Sequence, residues 1–318
     1  MPVLYLTEAD VHKLLTMELA IEAVEAALRK LSLDEAENIP RHRCQTDHVM
    51  LHVLPAAAKT LNALGYKAYT TGKTGAKFHV TLFDPRQGGM TALIEADYLG
   101  QVRTGAASAV ASKRLARKDA ATVGLIGTGK QARTQLQGIC KVRPIRQAHV
   151  YGRDEARRKE FATEMAALCG TEVIAVNSAE EAVRGKDIVV TATSSREPVL
   201  HGAWLADGCH VNLIGSNFLA KTEVDVDVFR RSALVAVDSK DQARLEAGDF
   251  VAALREGALH WTDIVELSHL ITGRYPGRQD PNDITTFKSL GLGIEDIAVA
   301  VRVADLARKQ SVGLELPI

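Results

Sequence analysis

The chain has 318 residues, 46% apolar and 25% charged, enough for two modest globular domains. Its 39 basic and 39 acidic side chains cancel, which excludes a general electrostatic attraction to nucleic acid or anionic membrane and makes neither an expected partner. No apolar run approaches the roughly 20 residues of a membrane span, the first residues lack the basic leader and apolar core of a signal peptide, and Cys44, Cys140, Cys169 and Cys209 are scattered like reduced thiols. A cytoplasmic location is therefore expected.

Val3–Leu6 reads as a short strand, after which Thr7 caps a helix carrying Val11, Leu14 and Leu15, with Glu8 and Asp10 at its positive end. A second helix follows with Leu19, Ala23, Ala27 and Leu31 on one face, and Pro40 ends that region. Residues 50–54, 66–70, 78–83 and 91–94 are strand-like runs separated by turn residues, the pattern of a mostly antiparallel sheet. From Arg103 to Arg117 the chain is alanine-rich and helical. A strand–helix alternation then begins, with strands at 121–126, 148–151, 173–176, 188–191, 210–214 and 234–237 and helices at 130–142 and 155–168. Nearly continuous apolar strands between helices predict a parallel sheet covered on both faces. From Asp249 onward helices are expected again, ending in an amphipathic helix over 294–309.

The strand ending at Ile126 runs into Gly127-Thr128-Gly129-Lys130-Gln131-Ala132, a G-x-G-x-x-A turn that opens a helix. This is the context a dinucleotide needs. Gly127 permits the tight turn, Gly129 admits the pyrophosphate to the backbone, Ala132 lets helix and strand pack, and the helix N-terminus offers free N–H groups to phosphate. At the end of the next strand, where an acid would hold an unmodified ribose, stand Gly152 and Arg153. A glycine removes repulsion and a guanidinium pairs with a 2′-phosphate, so NADP is favoured over NAD. Asp154 is better placed to cap the following helix. The turn after Thr191, with Ala192 and Thr193, falls at the cofactor edge of such a fold. Ser194 and Ser195 show no histidine–acid partner for nucleophilic work.

Several further segments carry a resemblance. Val102-Arg103-Thr104-Gly105-Ala106-Ala107-Ser108-Ala109, Gly65-Tyr66-Lys67, Ile214-Gly215-Ser216-Asn217, Phe287-Lys288-Ser289-Leu290-Gly291 and Glu295-Asp296, in that setting, resemble the ornithine cyclodeaminase/mu-crystallin family over almost the whole chain. The resemblance implies an α/β fold in which a Rossmann dinucleotide-binding domain, here 119–291, is inserted in an α+β substrate-binding and dimerisation domain built from 1–118 and 292–318, and it implies a homodimer. It also implies an NAD(P)-dependent oxidoreductase acting on a small imino or amino acid. A cyclodeaminase that recycles its NAD and a non-catalytic, crystallin-like binding protein are the alternatives within the same family.

By the same resemblance Lys67 is the active-site lysine, Arg41 or Arg43 binds the substrate carboxylate, and Arg103 and Thr104 lie near substrate and cofactor. Gly215, Ser216, Leu290 and Gly291 lie near the nicotinamide. Asn217 stands where the cyclodeaminases have an aspartate; an amide takes no proton at working pH, which favours imine reduction or amino-acid oxidation. A guanidinium at Arg41 would hold a carboxylate with two hydrogen bonds, and Arg41 and Arg103 would lower the pKa of a neighbouring Lys67 toward the working range. Arg103 is read as opening its helix, where it opposes the dipole and calls for a bound anion. His42, His48 and His52 lack an acid or cysteine to complete a metal site, and none is expected.

Overall fold

The computed structural model describes residues 2–317. The chain divides into two compact units, one comprising the residues up to Arg103 together with those from Gly291 onward, the other Thr104–Leu290.

The first unit opens with β1 (Val3–Leu6), α1 (Glu8–Leu14) and α2 (Met17–Ser32). Thr7 closes a capping box: its hydroxyl accepts from Asp10 N and the Asp10 carboxylate accepts from Thr7 N. Helix α2 turns Ala20, Val24, Ala27 and Leu28 into the core. Strands β2 (Ala36–Asn38), β3 (His42–Gln45), β4 (Val49–Ala58), β5 (Ala63–Gly72), β6 (Gly75–Phe83) and β7 (Met90–Glu95) follow, then α3 (Asp97–Leu115). The strands from β2 to β7 pair antiparallel, as their alternating pattern predicts, while β1 joins β7 in parallel.

Two readings of this region need correction. The alanine-rich helix begins at Asp97, so Arg103 sits in its second turn and not at its positive end. The division between the units falls inside this helix, between Arg103 and Thr104. Beyond that point α3 belongs to the second unit because glycine lets it approach closely. A Cβ on Gly105 would stand 2.2 Å from Thr134 O, and one on Gly138 would stand 2.6 Å from Gly105 O.

The second unit alternates β8 (Thr122–Ile126), α4 (Lys130–Val142), β9 (Gln147–Tyr151), α5 (Glu155–Cys169), β10 (Glu172–Ala175), α6 (Ala179–Val183), β11 (Ile188–Thr191) and β12 (His210–Leu213). Then come α7 (Val226–Arg231), β13 (Ser232–Val237), α8 (Lys240–Glu246), α9 (Gly248–Arg255), β14 (Ile264–Glu266), α10 (Leu267–Thr272) and β15 (Ile284–Lys288). All eight strands are parallel, in the order β10-β9-β8-β11-β12-β15-β13-β14. This is a doubly wound, Rossmann-type sheet whose order reverses at β8. The expectation of helices alone beyond Asp249 fails for β14 and β15. Strand β15, Ile-Thr-Thr-Phe-Lys, is buried at every residue between β12 and β13. Its threonines and lysine hide the apolar run by which a central strand is ordinarily recognised.

The chain then returns to the first unit with α11 (Gly293–Gln310) and β16 (Leu314–Leu316), which pairs antiparallel with β1. Helix α11 packs against α2 and across β4, β5 and β6. It comes close because a Cβ on Gly293 would meet Leu54 O at 2.6 Å.

Candidate functional site

In the second unit a cavity of about 1130 Å³ opens at the carboxyl ends of β8, β9 and β11, the point where strand order reverses and where ligands of such sheets bind. Its walls are the predicted Gly127–Gln131 turn, Tyr151–Asp154 and Ala192–Glu197, including Ser194 and Ser195. Gly127 has φ +116° and a Cβ there would lie 2.3 Å from Ala192 O, so the turn itself demands glycine. Gly129 caps α4, and a Cβ on it would meet no protein atom within 4 Å. No packing constraint requires glycine at that position, and the open space leaves the backbone accessible to a ligand. Together with the N-terminus of α4 and the exposed Lys130, Arg153, Arg157 and Arg196, this cradle fits a dinucleotide phosphate. Ala132 is fully buried.

Gly152 has a second explanation. A Cβ there would fall 2.6 Å from Thr128 Oγ1, so a side chain at 152 would press on the glycine turn whatever the ribose carries. Asp154 caps α5, accepting from Arg157 N at 3.0 Å.

Behind the strand ends lies a buried network that motif reading missed. The Glu223 carboxylate accepts from Thr191 Oγ1 (2.8 Å), Thr193 N (2.6 Å), Thr193 Oγ1 (2.7 Å) and Gly215 N (2.7 Å). Burial, seconded by Asp249, raises its pKa against the pull of Lys288. Asp249 accepts from Glu223 N at 2.6 Å and pairs with Lys288 at 2.8 Å, and Lys288 Nζ donates to Ser216 O at 2.6 Å. Thr191, Thr193, Gly215 and Ser216 are thus tied to one another through three charged side chains. Asn217 follows on the same loop, and Leu290 N donates to Asp238 Oδ2 at 2.6 Å. Thr104 is buried near the start of this unit's part of α3.

In the first unit the strand register gathers a different set. Arg43 lies opposite His52, His52 opposite Tyr69, Leu54 opposite Lys67, and Tyr69 opposite Phe78. Directly opposed residues share a face, so these side chains lie on the face that α11 covers. Lys67 is 3% exposed, and its Nζ donates to Asp296 Oδ1 at 2.8 Å. The same oxygen accepts from Arg103 Nε at 2.9 Å, and Arg103 also donates to Glu295 Oε2 at 2.9 Å. The counter-charge of Arg103 is therefore supplied by α11, not by a bound anion. Asp296 Oδ2 is buried without a hydrogen-bond partner.

Arg41 is buried and donates to Gly291 O at 3.2 Å. Gly291 has φ +78°, and a Cβ on it would enter the Arg103 guanidinium at 2.5 Å. A Cβ on Gly100 would likewise stand 2.8 Å from Lys67 Nζ. Burial lowers the Lys67 pKa to about 8, with Arg103 and Arg41 helping and Asp296 opposing. The direction matches the sequence reading, although burial outweighs the arginines. Its ammonium also lies 5.3 Å from the Phe78 ring centroid.

His52 is not a candidate ligand. Arg43 Nε donates to its Nδ1 at 3.2 Å, which leaves Nε2–H to donate to Thr71 Oγ1 at 3.0 Å. Its ring stacks on Tyr69 at 4.1 Å, and burial with the fields of Arg43 and Arg41 takes its pKa to about 4.

The chain matches the profile of the ornithine cyclodeaminase/mu-crystallin family over residues 3–311. An alanine dehydrogenase of Archaeoglobus fulgidus is 33% identical, covering 99% of this chain and 98% of its own. The structure of Thermococcus litoralis Δ1-pyrroline-2-carboxylate reductase with NADH and L-proline superposes with a TM-score of 0.94 at 35% identity, over 99% of this chain and 100% of the other. The iminosuccinate reductase of Paracoccus denitrificans with NAD+ does so at 0.94 and 28% identity, over the full length of both chains.

Proposed function

The chain belongs to the ornithine cyclodeaminase/mu-crystallin family, and from that premise we propose that it is an oxidoreductase exchanging hydride between a nicotinamide dinucleotide and a small imino or amino acid. The single observation that carries this reading is Lys67: a fully enclosed amine with its pKa brought to about 8, held by Asp296 and flanked by two arginines. A lysine so tuned moves a proton near neutral pH, which imine reduction and amine oxidation both require.

When bound, the dinucleotide supplies the hydride exchange. The residues that would hold it are Gly127–Ala132 at the pyrophosphate, Gly152, Arg153 and Asp154 toward the adenosine ribose, Thr191–Thr193 along the strand ends, and Gly215, Ser216, Asn217, Leu290, Gly291, Arg103 and Thr104 toward the nicotinamide. Arg153, seconded by Arg157, supports a preference for NADP over NAD.

Arg41 binds the substrate carboxylate and orients the α-carbon. Protonated Lys67 donates from Nζ to the nitrogen of an imine, or its neutral form accepts from an amine. Asp296 keeps that amine aimed through its 2.8 Å hydrogen bond, and Asn217 contributes hydrogen bonds but takes no proton. No helix among the described residues is long and apolar enough to cross a membrane, and the four free cysteines support a reducing, cytoplasmic setting. A homodimer is supported by Val49, Leu51 and Leu64, exposed on the sheet face opposite Lys67.

The test is absorbance at 340 nm with NADH and NADPH over a panel of cyclic imines and of 2-oxo acids with ammonia. Steady cofactor consumption is expected, and Lys67→Ala should remove at least about 100-fold of it while cofactor binding persists. Ammonia release from a diamino acid with no net cofactor consumption would mean a cyclodeaminase instead.

A further inference from the structure

Four cysteines widely spaced along the chain give no sign of pairing, but the second unit brings two of them together. Cys140 lies on α4 at four-residue spacing from Ala132 and Leu136, and Cys169 ends α5 at four-residue spacing from Phe161 and Met165. Residues four apart share a helix face, and both stripes pack into one core cluster. Helices α4 and α5 follow the neighbouring parallel strands β8 and β9, so they run in the same direction. The Arg133 guanidinium sets their register. It donates to Glu164 at 2.8 and 2.6 Å and lies 5.3 Å from the Phe161 ring centroid. At 1.5 Å per residue Cys140 stands about 10 Å beyond Arg133, and Cys169 about 8 Å beyond Glu164 and about 12 Å beyond Phe161. The two helices thus bring their cysteines to the same level, and the sulfurs lie within hydrogen-bond reach of each other.

The two thiols are unequal. With Cys140 as donor, the hydrogen bond between them lowers the pKa of Cys169 and raises that of Cys140. Lys141 favours the thiolate at both, and burial opposes it. Both are half-buried, open to a small oxidant, whereas Cys209 is enclosed.

We propose that Cys140 and Cys169 form a redox modification site, a dithiol that a small peroxide closes reversibly to a disulfide between α4 and α5. The Cys169 thiolate attacks one peroxide oxygen and the O–O bond breaks, leaving a sulfenic acid and a hydroxide that takes up the proton released by Cys169. The Cys140 sulfur then attacks the Cys169 sulfur, and its proton leaves with the sulfenic oxygen as water. Two thiols together lose two electrons, and one peroxide becomes two waters. In a reducing setting the bond is reopened by thiols once the oxidant is spent. It would join the far ends of two helices whose first turns, through Lys130, Gln131 and Arg157, line the dinucleotide cavity. The site does not depend on the hydride-exchange reading, because its readout is covalent.

The test is peptide mapping by mass spectrometry of the reduced full-length chain before and after hydrogen peroxide. A cross-linked peptide joining Cys140 to Cys169, lighter by two hydrogens, should form before Cys209 reacts and revert with dithiothreitol. In Cys140→Ser the cross-link should vanish and Cys169 be recovered as a sulfenic acid trapped by dimedone. In Cys169→Ser the remaining Cys140 should oxidise at least about tenfold more slowly than in the wild type, having lost its thiolate partner. Both cysteines persisting as thiols while Cys44 oxidises would overturn the proposal. So would a sulfinic acid at Cys169 with Cys140 still a thiol, or a disulfide of either residue to a second chain.

Discussion

Each unit buries one lysine against an aspartate at 2.8 Å, and the two are used differently. Lys288, fully enclosed, faces Asp249 and the carbonyl of Ser216, with Glu223 close enough for its pKa to feel the ammonium. Its partners are an acid and a carbonyl, and it ties together loops at the ends of parallel strands. Lys67 faces Asp296 as well, but Arg103 shares the same carboxylate oxygen and Arg41 adds a second like charge. The same ion pair therefore sits among an acid and a carbonyl in one unit and beside like charges in the other, as the proton-carrying role proposed for Lys67 requires. The ion-pair distance alone does not tell them apart; the sign of the next neighbours does.

Exchanging each lysine for methionine would break this comparison most directly. Lys288→Met strands Asp249 beside Glu223 and should cost about 3–5 kcal/mol of stability, the range for removing one partner of a buried pair, read by chemical denaturation. Lys67→Met leaves Asp296 paired with Arg103 and should unfold near the wild-type midpoint. Equal losses in the two variants would show that Lys67 is also structural.

Asp296→Asn sharpens the account of Lys67. The carboxylate raises the lysine pKa while burial and the arginines lower it, so removing it should carry the pKa below about 8. For imine reduction the protonated lysine is required, and activity falls as pH rises through that pKa. In the variant the fall should begin at least about one unit lower, a loss of about fivefold at pH 8 that approaches tenfold above it. A pH–rate limb that stays in place would exclude Lys67 as the titrating group. The smallest effect is expected in the other unit. Arg153→Ala, at an exposed position on the cavity rim, should weaken NADP about tenfold and NAD little, by titration of each cofactor. Equal effects would leave Gly152 explained by Thr128 alone.

The glycine turn was legible because its meaning is local. A strand, a positive φ at Gly127 and a helix start occupy a few consecutive residues, and backbone sterics decide which amino acids fit. The alternation of strands and helices around it was equally plain, until Thr285, Thr286 and Lys288 gave a central strand a polar look. Arg41, Lys67 and Arg103 were visible only through the family's motif order, for their spacing carries no periodic signal. Glu223 and Asp249 gave no signal at all, since a single acid in a loop or at a helix start reads as a solvated charge. His52 was weighed as a metal ligand, whereas its Nδ1 accepts from Arg43.

Sequence alone determined where the dinucleotide turn lies, that a mostly antiparallel region precedes a parallel one, and the family to which the motifs point. The tertiary structure decided which charges meet. Asp296 lies 229 residues from Lys67, and Asp249 is 26 from the residue whose amide it accepts. Electrostatic energy depends on separation and burial in space, and chain order fixes neither until the strands have paired and the helices have packed.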